Sequence, residues 1–270
     1  MGFFEGNLGD FAKSYGALIV AIYAVLQVWL IALWKRFFWV GRLSIFRTGR
    51  LEIGFGTLGP TLALNGTLRV ERKDLFVSGI SLEIVKERDN SKHVFEWTAF
   101  RPPQIQIGKS EGITLELPSG FNVRVDHPHR YNIFFSDRKT QAELENNLLQ
   151  VRNEWHAFLK SKEDIILHMT KEGLSSALIV DTLYDADFSK NSKAWQQAWE
   201  LLTRKNYWEE GKYHLKMVVQ TSSPDKRFSS EWGFELSDTS FSTLRLNSIP
   251  TLREVCFSKA DYFFHFAEYS

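Results

Sequence analysis

The 270-residue chain carries 33 Lys and Arg against 32 Asp and Glu, a net charge of +1, which excludes the basic character expected of a nucleic-acid-binding domain. A single cysteine, Cys256, excludes an internal disulfide framework. The length is ample for one large core or two small ones.

Charge is unevenly placed along the chain. Residues 1–16 form a short tail with Glu5, Asp10 and Lys13, residues 35–50 hold Lys35, Arg36, Arg42, Arg47 and Arg50, and the remainder is left at −3. Between tail and basic collar, residues 17–34 are an apolar run with one amide, Gln27. About 20 helical residues cross a hydrocarbon layer of about 30 Å, so the run predicts a transmembrane helix. A secretory signal would start basic, have a shorter apolar stretch and end on small residues. Here the tail is acidic and Lys35-Arg36-Phe37-Phe38-Trp39 follows, so a retained anchor is expected. Cations gather on the cytoplasmic side of such anchors, which places the N-terminus outside and the C-terminal domain in the cytoplasm. Lys35, Arg36, Phe37, Phe38, Trp39 and Arg42 suit headgroup depth, with membrane lipid as partner. Ala17, Ala21 and Ala24 lie at helical spacing and predict a face for close helix packing.

From residue 51 the texture becomes that of strands. Leu62, Leu64, Leu68 and Val70 share one parity, as do Ile80, Leu82 and Ile84, with turn-forming pairs between the runs. Asn65-Gly66-Thr67 matches a glycosylation sequon but reads as a strand-and-turn segment. Residues 93–100 and 131–135 add two strands, the first ended by Arg101-Pro102-Pro103. Ile113, Leu115 and Leu117, then Pro118-Ser119-Gly120, then Phe121, Val123 and Val125 predict a hairpin. After a cap at Ser136 or Asp137 the period becomes 3.6. Leu144, Leu148, Val151, Trp155, Phe158 and Leu159 then form the apolar stripe of a helix reaching about Lys162. A short helix at 163–169, a polar loop at 181–191 and a helix at 192–205 carrying Trp195 and Trp199 follow. Tyr213, Leu215, Met217 and Val219 alternate again, and residues 228–236 pair back across a turn at 222–226. The predicted architecture is α+β: an N-terminal transmembrane helix, then an antiparallel β-sandwich over residues 51–270 with a helical layer inserted at about 137–206.

Leu58-Gly59-Pro60-Thr61-Leu62-Ala63-Leu64-Asn65-Gly66-Thr67-Leu68, with the alternating residues 80–85, resembles the opening strands of immunoglobulin-like or arrestin-like sandwiches. The resemblance covers about 35 residues, the length of one hairpin-rich unit. It implies a binding scaffold rather than an enzyme and carries over no functional residue.

Asp126-His127-Pro128-His129 is the sharpest polar cluster. Two imidazoles and a carboxylate could ligate a divalent metal, yet no further ligand motif accompanies them, and a turn with solvated histidines is the simpler reading. Asp181, Asp185 and Asp187 lack calcium-loop spacing and read, like Glu209-Glu210, as solvated. Cys256 sits between Val255 and Phe257 and reads as a buried, inert thiol. Gly54-Phe55-Gly56 has no βαβ context and reads as a turn or strand break; nucleophile-elbow, phosphate-loop and zinc-helix motifs are absent. Trp195 and Trp199 share a helical face suited to packing on the sandwich. The ring-rich residues 262–269 need a core, a partner or a membrane to cover them.

No cofactor is expected. The function these features predict is non-enzymatic: a single-pass membrane-anchored binding, scaffold or sensor protein, part of a membrane-associated complex, with a protein partner or further copies of itself. An oligomerising effector or channel-forming subunit regulated by its cytoplasmic domain, and a metal-dependent enzyme built on residues 126–129, are the alternatives.

Overall fold

The computed structural model describes residues 5–38, 41–101, 116–222, 224–258 and 261–270. The apolar run is helical, within α1 (Glu5–Phe38). Among the described residues, however, no helix is long and apolar enough to cross a membrane, which corrects the expectation of a transmembrane, single-pass chain.

Among the described residues nine strands are formed: β1 (Arg42–Gly56), β2 (Gly59–Glu71), β3 (Leu75–Lys86), β4 (Lys92–Phe100), β5 (Phe121–Val123), β6 (His129–Ser136), β7 (Gly211–Ser222), β8 (Asp225–Leu236) and β9 (His265–Ala267). They form one antiparallel sheet in the order β8-β7-β3-β4-β6-β2-β1-β9, with β5 on the start of β3. Leu62, Leu64, Leu68 and Val70 of β2, and Ile80, Leu82 and Ile84 of β3, point to one shared core, as their parity requires. In β3 the inward parity is odd at Leu75 and Val77 but even from Ile80, because the register shifts between Val77 and Gly79. Similar shifts occur at Thr48/Glu52 in β1 and Trp97/Ala99 in β4. Each irregularity adds local twist and helps the sheet curl.

The curl brings the two edges together. Beyond β9, Tyr269 bridges Phe234 of β8, Ser270 N–H donates to the Gly233 carbonyl at 2.8 Å, and Gly233 N–H donates back at 3.3 Å. The two-layer sandwich is thus a single curled sheet wrapped around its own core.

Between β6 and β7 lie α2 (Arg138–Ser161), α3 (Glu163–Lys171), α4 (Ser176–Leu183), a π-helical turn (Tyr184–Phe188), α5 (Ser189–Asn191) and α6 (Lys193–Lys205). Helices α7 (Asp238–Leu246) and α8 (Ser248–Phe257) separate β8 from β9. Asp137 caps α2 by accepting the Thr140 N–H at 3.1 Å, and Ser192 caps α6 through the Trp195 N–H at 3.0 Å. Leu144, Leu148, Val151 and Trp155 join Tyr184, Phe188, Ala198, Leu202 and Leu252 in a second core, into which the sheet sends Phe55. The helical layer therefore sits at the end of the sheet where β1 turns into β2.

One expectation changes here. Residues 181–191 are helical, because Tyr184 and Phe188 are buried against Trp155 and a polar loop could not supply those rings. Of the predicted hairpin, Ile113 and Leu115 lie outside the described residues, Leu117 is exposed, and Phe121–Val123 pairs with β3.

Candidate functional site

The residues singled out by sequence have separate fates. Asp126 and His127 are exposed in a turn, where His127 N–H donates to the Arg124 carbonyl. His129 opens β6 and stacks on Phe121 at 4.1 Å; burial holds its imidazole below the ordinary histidine range. Among the described residues no group of three or more His, Cys, Asp or Glu side chains converges to hold a metal. Asp181 and Asp185 both accept from Arg253, at 2.7 and 3.1 Å, while Asp187 pairs with Lys162 and Asn191. Glu209 pairs with the buried Lys86. Burial pushes the Cys256 thiol up to about 12, which keeps it protonated. Trp195 and Trp199 stack at 5.5 Å, and the Trp195 indole donates to the Tyr184 hydroxyl.

Of the expected interface residues, Arg42 is exposed at the start of β1; Trp39 and the side chains of Lys35, Arg36, Phe37 and Phe38 lie outside the described residues. The Ala17 side chain does too, while Ala21 and Ala24 are exposed on α1. The ring-rich tail contributes β9 and the closing pair at Tyr269 and Ser270; Tyr262 and Tyr269 are half-buried on the protein, whereas Phe263, Phe264 and Phe266 are exposed.

That tail builds a cleft of about 280 Å³ which the sequence did not announce. In β1, alternation turns Glu52, Gly54 and Gly56 away from Leu51, Ile53 and Phe55. Side-chain atoms at the two glycines would collide with the tail. A Cβ on Gly54 would lie 3.0 Å from the Phe264 ring and 2.7 Å from Thr61 Oγ1, and one on Gly56 would lie 3.2 Å from the Tyr262 ring. Gly54-Phe55-Gly56 is thus strand, with room left for two rings. Asn247 fixes the tail between those rings: its Nδ2 donates to the Phe263 carbonyl at 2.7 Å and its Oδ1 accepts from the Phe263 N–H at 2.9 Å. The Tyr262 hydroxyl donates to Glu254 of α8. Burial, then that carboxylate, raises the Tyr262 phenol above its ordinary range.

The opposite wall comes from β4 and β6. Arg101, just beyond β4, donates from Nη1 and Nη2 to the two Glu52 oxygens at 2.7 and 3.0 Å, and its guanidinium lies 5.8 Å from the Phe134 ring centroid. This pair is largely buried, with side chains 19% and 15% exposed. Arg101 Nε–H is buried and has no acceptor among the described residues.

Fold and site together define an α+β protein with a curled antiparallel sheet, a helical layer at one end, and a small apolar cleft beside that end. No family model, no curated protein and no solved structure matches the chain.

Proposed function

We propose that this is a non-enzymatic scaffold that assembles with further copies of itself through α1 and holds its β-rich body as the displayed part. The observation carrying this reading is the surface of α1. Between residues 20 and 34 every large apolar side chain is exposed, from 41% at Leu33 to 67% at Val28, and none belongs to either core. If each such side chain offers roughly 150–250 Å², this surface is on the order of 1,000 Å². An isolated protein rarely leaves more than about 300–600 Å² of contiguous apolar patch in water. Stable interfaces bury about 800 Å² per partner.

Because Val20, Ile22, Tyr23, Val25, Leu26 and Val28 surround the helix, one neighbour would cover only a strip; a bundle of three or more copies covers it on all sides. Ala21 and Ala24 allow backbones to approach closely. Away from α1, Asp181 and Asp185 are taken up in ion pairs with Arg253 and the one thiol is half-buried and held protonated, which supports a structural rather than catalytic role. The resemblance of residues 58–68 to immunoglobulin-like or arrestin-like sandwiches supports the scaffold reading as well.

Light scattering on the full chain in detergent-free buffer should give at least three times the 31.3 kDa chain mass. The Leu26→Asp/Leu30→Asp variant should dissociate to single chains with unchanged far-UV circular dichroism of the body. A single-chain mass for the unmodified protein, or its capture by phosphatidylcholine vesicles in place of assembly, would overturn the proposal.

A further inference from the structure

We infer that the open half of the sheet's seam, between β1 and β8, receives an extended acidic peptide from a partner protein as an added strand. The inference is independent of assembly through α1.

The tail closes the seam over part of its length only. It pairs with Leu51, Glu52 and Ile53 of β1 and with Gly233 and Phe234 of β8. Among the described residues, 42–48 pair with β2 alone and 225–232 with β7 alone. An edge of this kind presents a row of backbone N–H and C=O groups with no strand to receive them. The two edges run in the same direction, because an even number of antiparallel pairings joins them: β1–β2, β2–β6, β6–β4, β4–β3, β3–β7 and β7–β8. One inserted strand can therefore pair antiparallel with both, as the tail does at the closed half.

The core-facing residues show where cover is missing. Phe228, Ser230 and Trp232 of β8 are half-buried, whereas Val219, Met217 and Leu215, their partners on β7, are fully buried. On β1, Ile45 is half-buried beside the fully buried Leu68. Apolar side chains at alternate positions of an added strand extend the core over Ile45 and Phe228.

Charge sets the remaining positions. Residues 42–48 and 225–232 hold Arg42, Arg47, Lys226 and Arg227 against Asp225 and Glu231. Glu231 is taken by Lys216 at 2.8 Å, and none of the four cations forms an ion pair among the described residues. Arg47 stands on the seam itself, its guanidinium 4.6 Å from the Tyr269 ring centroid and 6.0 Å from that of Trp232. The tail supplies the precedent, since Glu268, just past β9, pairs with Arg50 of β1. Carboxylates alternating with apolar residues thus complement both edges and core, and a basic strand would be repelled. A lipid headgroup layer offers no backbone to the two edges, which selects a peptide.

The probe is a fluorescein-labelled peptide of about eight residues alternating valine with glutamate, the length of a typical strand. Its controls are a counterpart with lysine for glutamate and a glutamate form N-methylated at every second residue, which cannot complete a ladder. Fluorescence anisotropy with the full chain should show the acidic peptide binding about tenfold more tightly than either control, and less tightly as salt rises. Hydrogen exchange should slow at residues 42–48 and 225–232 on binding. Arg42→Glu/Arg227→Glu, at two exposed positions, should weaken the acidic peptide about tenfold and strengthen the lysine one. Should that variant unfold, the N-methylated control on the unmodified protein decides alone. Equal binding of the methylated and unmethylated forms, a preference for lysine, slowed exchange only at other segments, or no binding would each overturn the assignment. So would phosphatidylserine vesicles that protect the same two segments while the peptide does not, which gives the surface to lipid.

Discussion

Asn247 has no exposed surface, and its amide is fully engaged by the backbone of one distant residue, Phe263. Asn247→Ala leaves a buried N–H and a C=O unpaired, and the expected loss is about 2–3 kcal/mol. Urea unfolding should show it, and faster hydrogen exchange at the Phe263 amide should place it. At this scale the sequence was legible where a residue's neighbours in the chain decide its setting. Cys256 between Val255 and Phe257 is half-buried rather than fully buried, and that burial raises its thiol to about 12. Arg101 could not be read in the same way, since its partner Glu52 lies 49 positions earlier and nothing local pairs the two. The nearest available signal was Gly54-x-Gly56: two glycines on one face of a strand mark a place where other bulk must enter.

Helix α2 shows how a local rule becomes an element. Asp137 caps it from an extended backbone, accepting from the Thr140 N–H and from the Thr140 hydroxyl, and Leu144, Leu148, Val151 and Trp155, spaced by four, three and four, then fill the second core. Asp137→Ala should lower stability by about 1 kcal/mol, with Asp137→Asn close to the original, both measured by urea unfolding. Elements of this kind were plain from period and cap, as were β2, β3, β7 and β8 from alternation. The π-helical turn was not, because its two aspartates, with Asp181 just before them, suggested solvent; the buried rings of Tyr184 and Phe188 outweigh them, and Arg253 ties Asp181 and Asp185 down. The apolar run was legible as a helix but not as to what surrounds it, since hydropathy describes a surface and does not name its cover.

For the molecule as a whole, three imidazoles are held in surroundings that disfavour their charged form. Burial lowers His93, with Asp137 and Asp89 opposing it, and burial lowers His129 and His265. His93 stacks on Tyr207 at 3.6 Å. With folded values below the unfolded value of about 6.5, the unfolded chain binds more protons in the window beneath it. Stability is therefore full above that value and is lost as pH falls through it towards the folded values. The urea midpoint should drop between about pH 7.5 and pH 5.5, and His93→Phe, which keeps a ring against Tyr207, should reduce the drop. Strand identity was legible at this scale, but strand order was not, because pairings such as β3 with β7 span the whole helical layer. The seam of the sheet adds a kinetic consequence. Arg50 and Glu268, 218 positions apart, lie at the join where β9 meets β1. Bringing such distant segments together costs chain entropy before any contact rewards it. Closing the ring therefore carries a large chain-entropy cost, and a chain in which it is open would present β1 and β8 as unpaired edges, the form most exposed to mispairing with its neighbours.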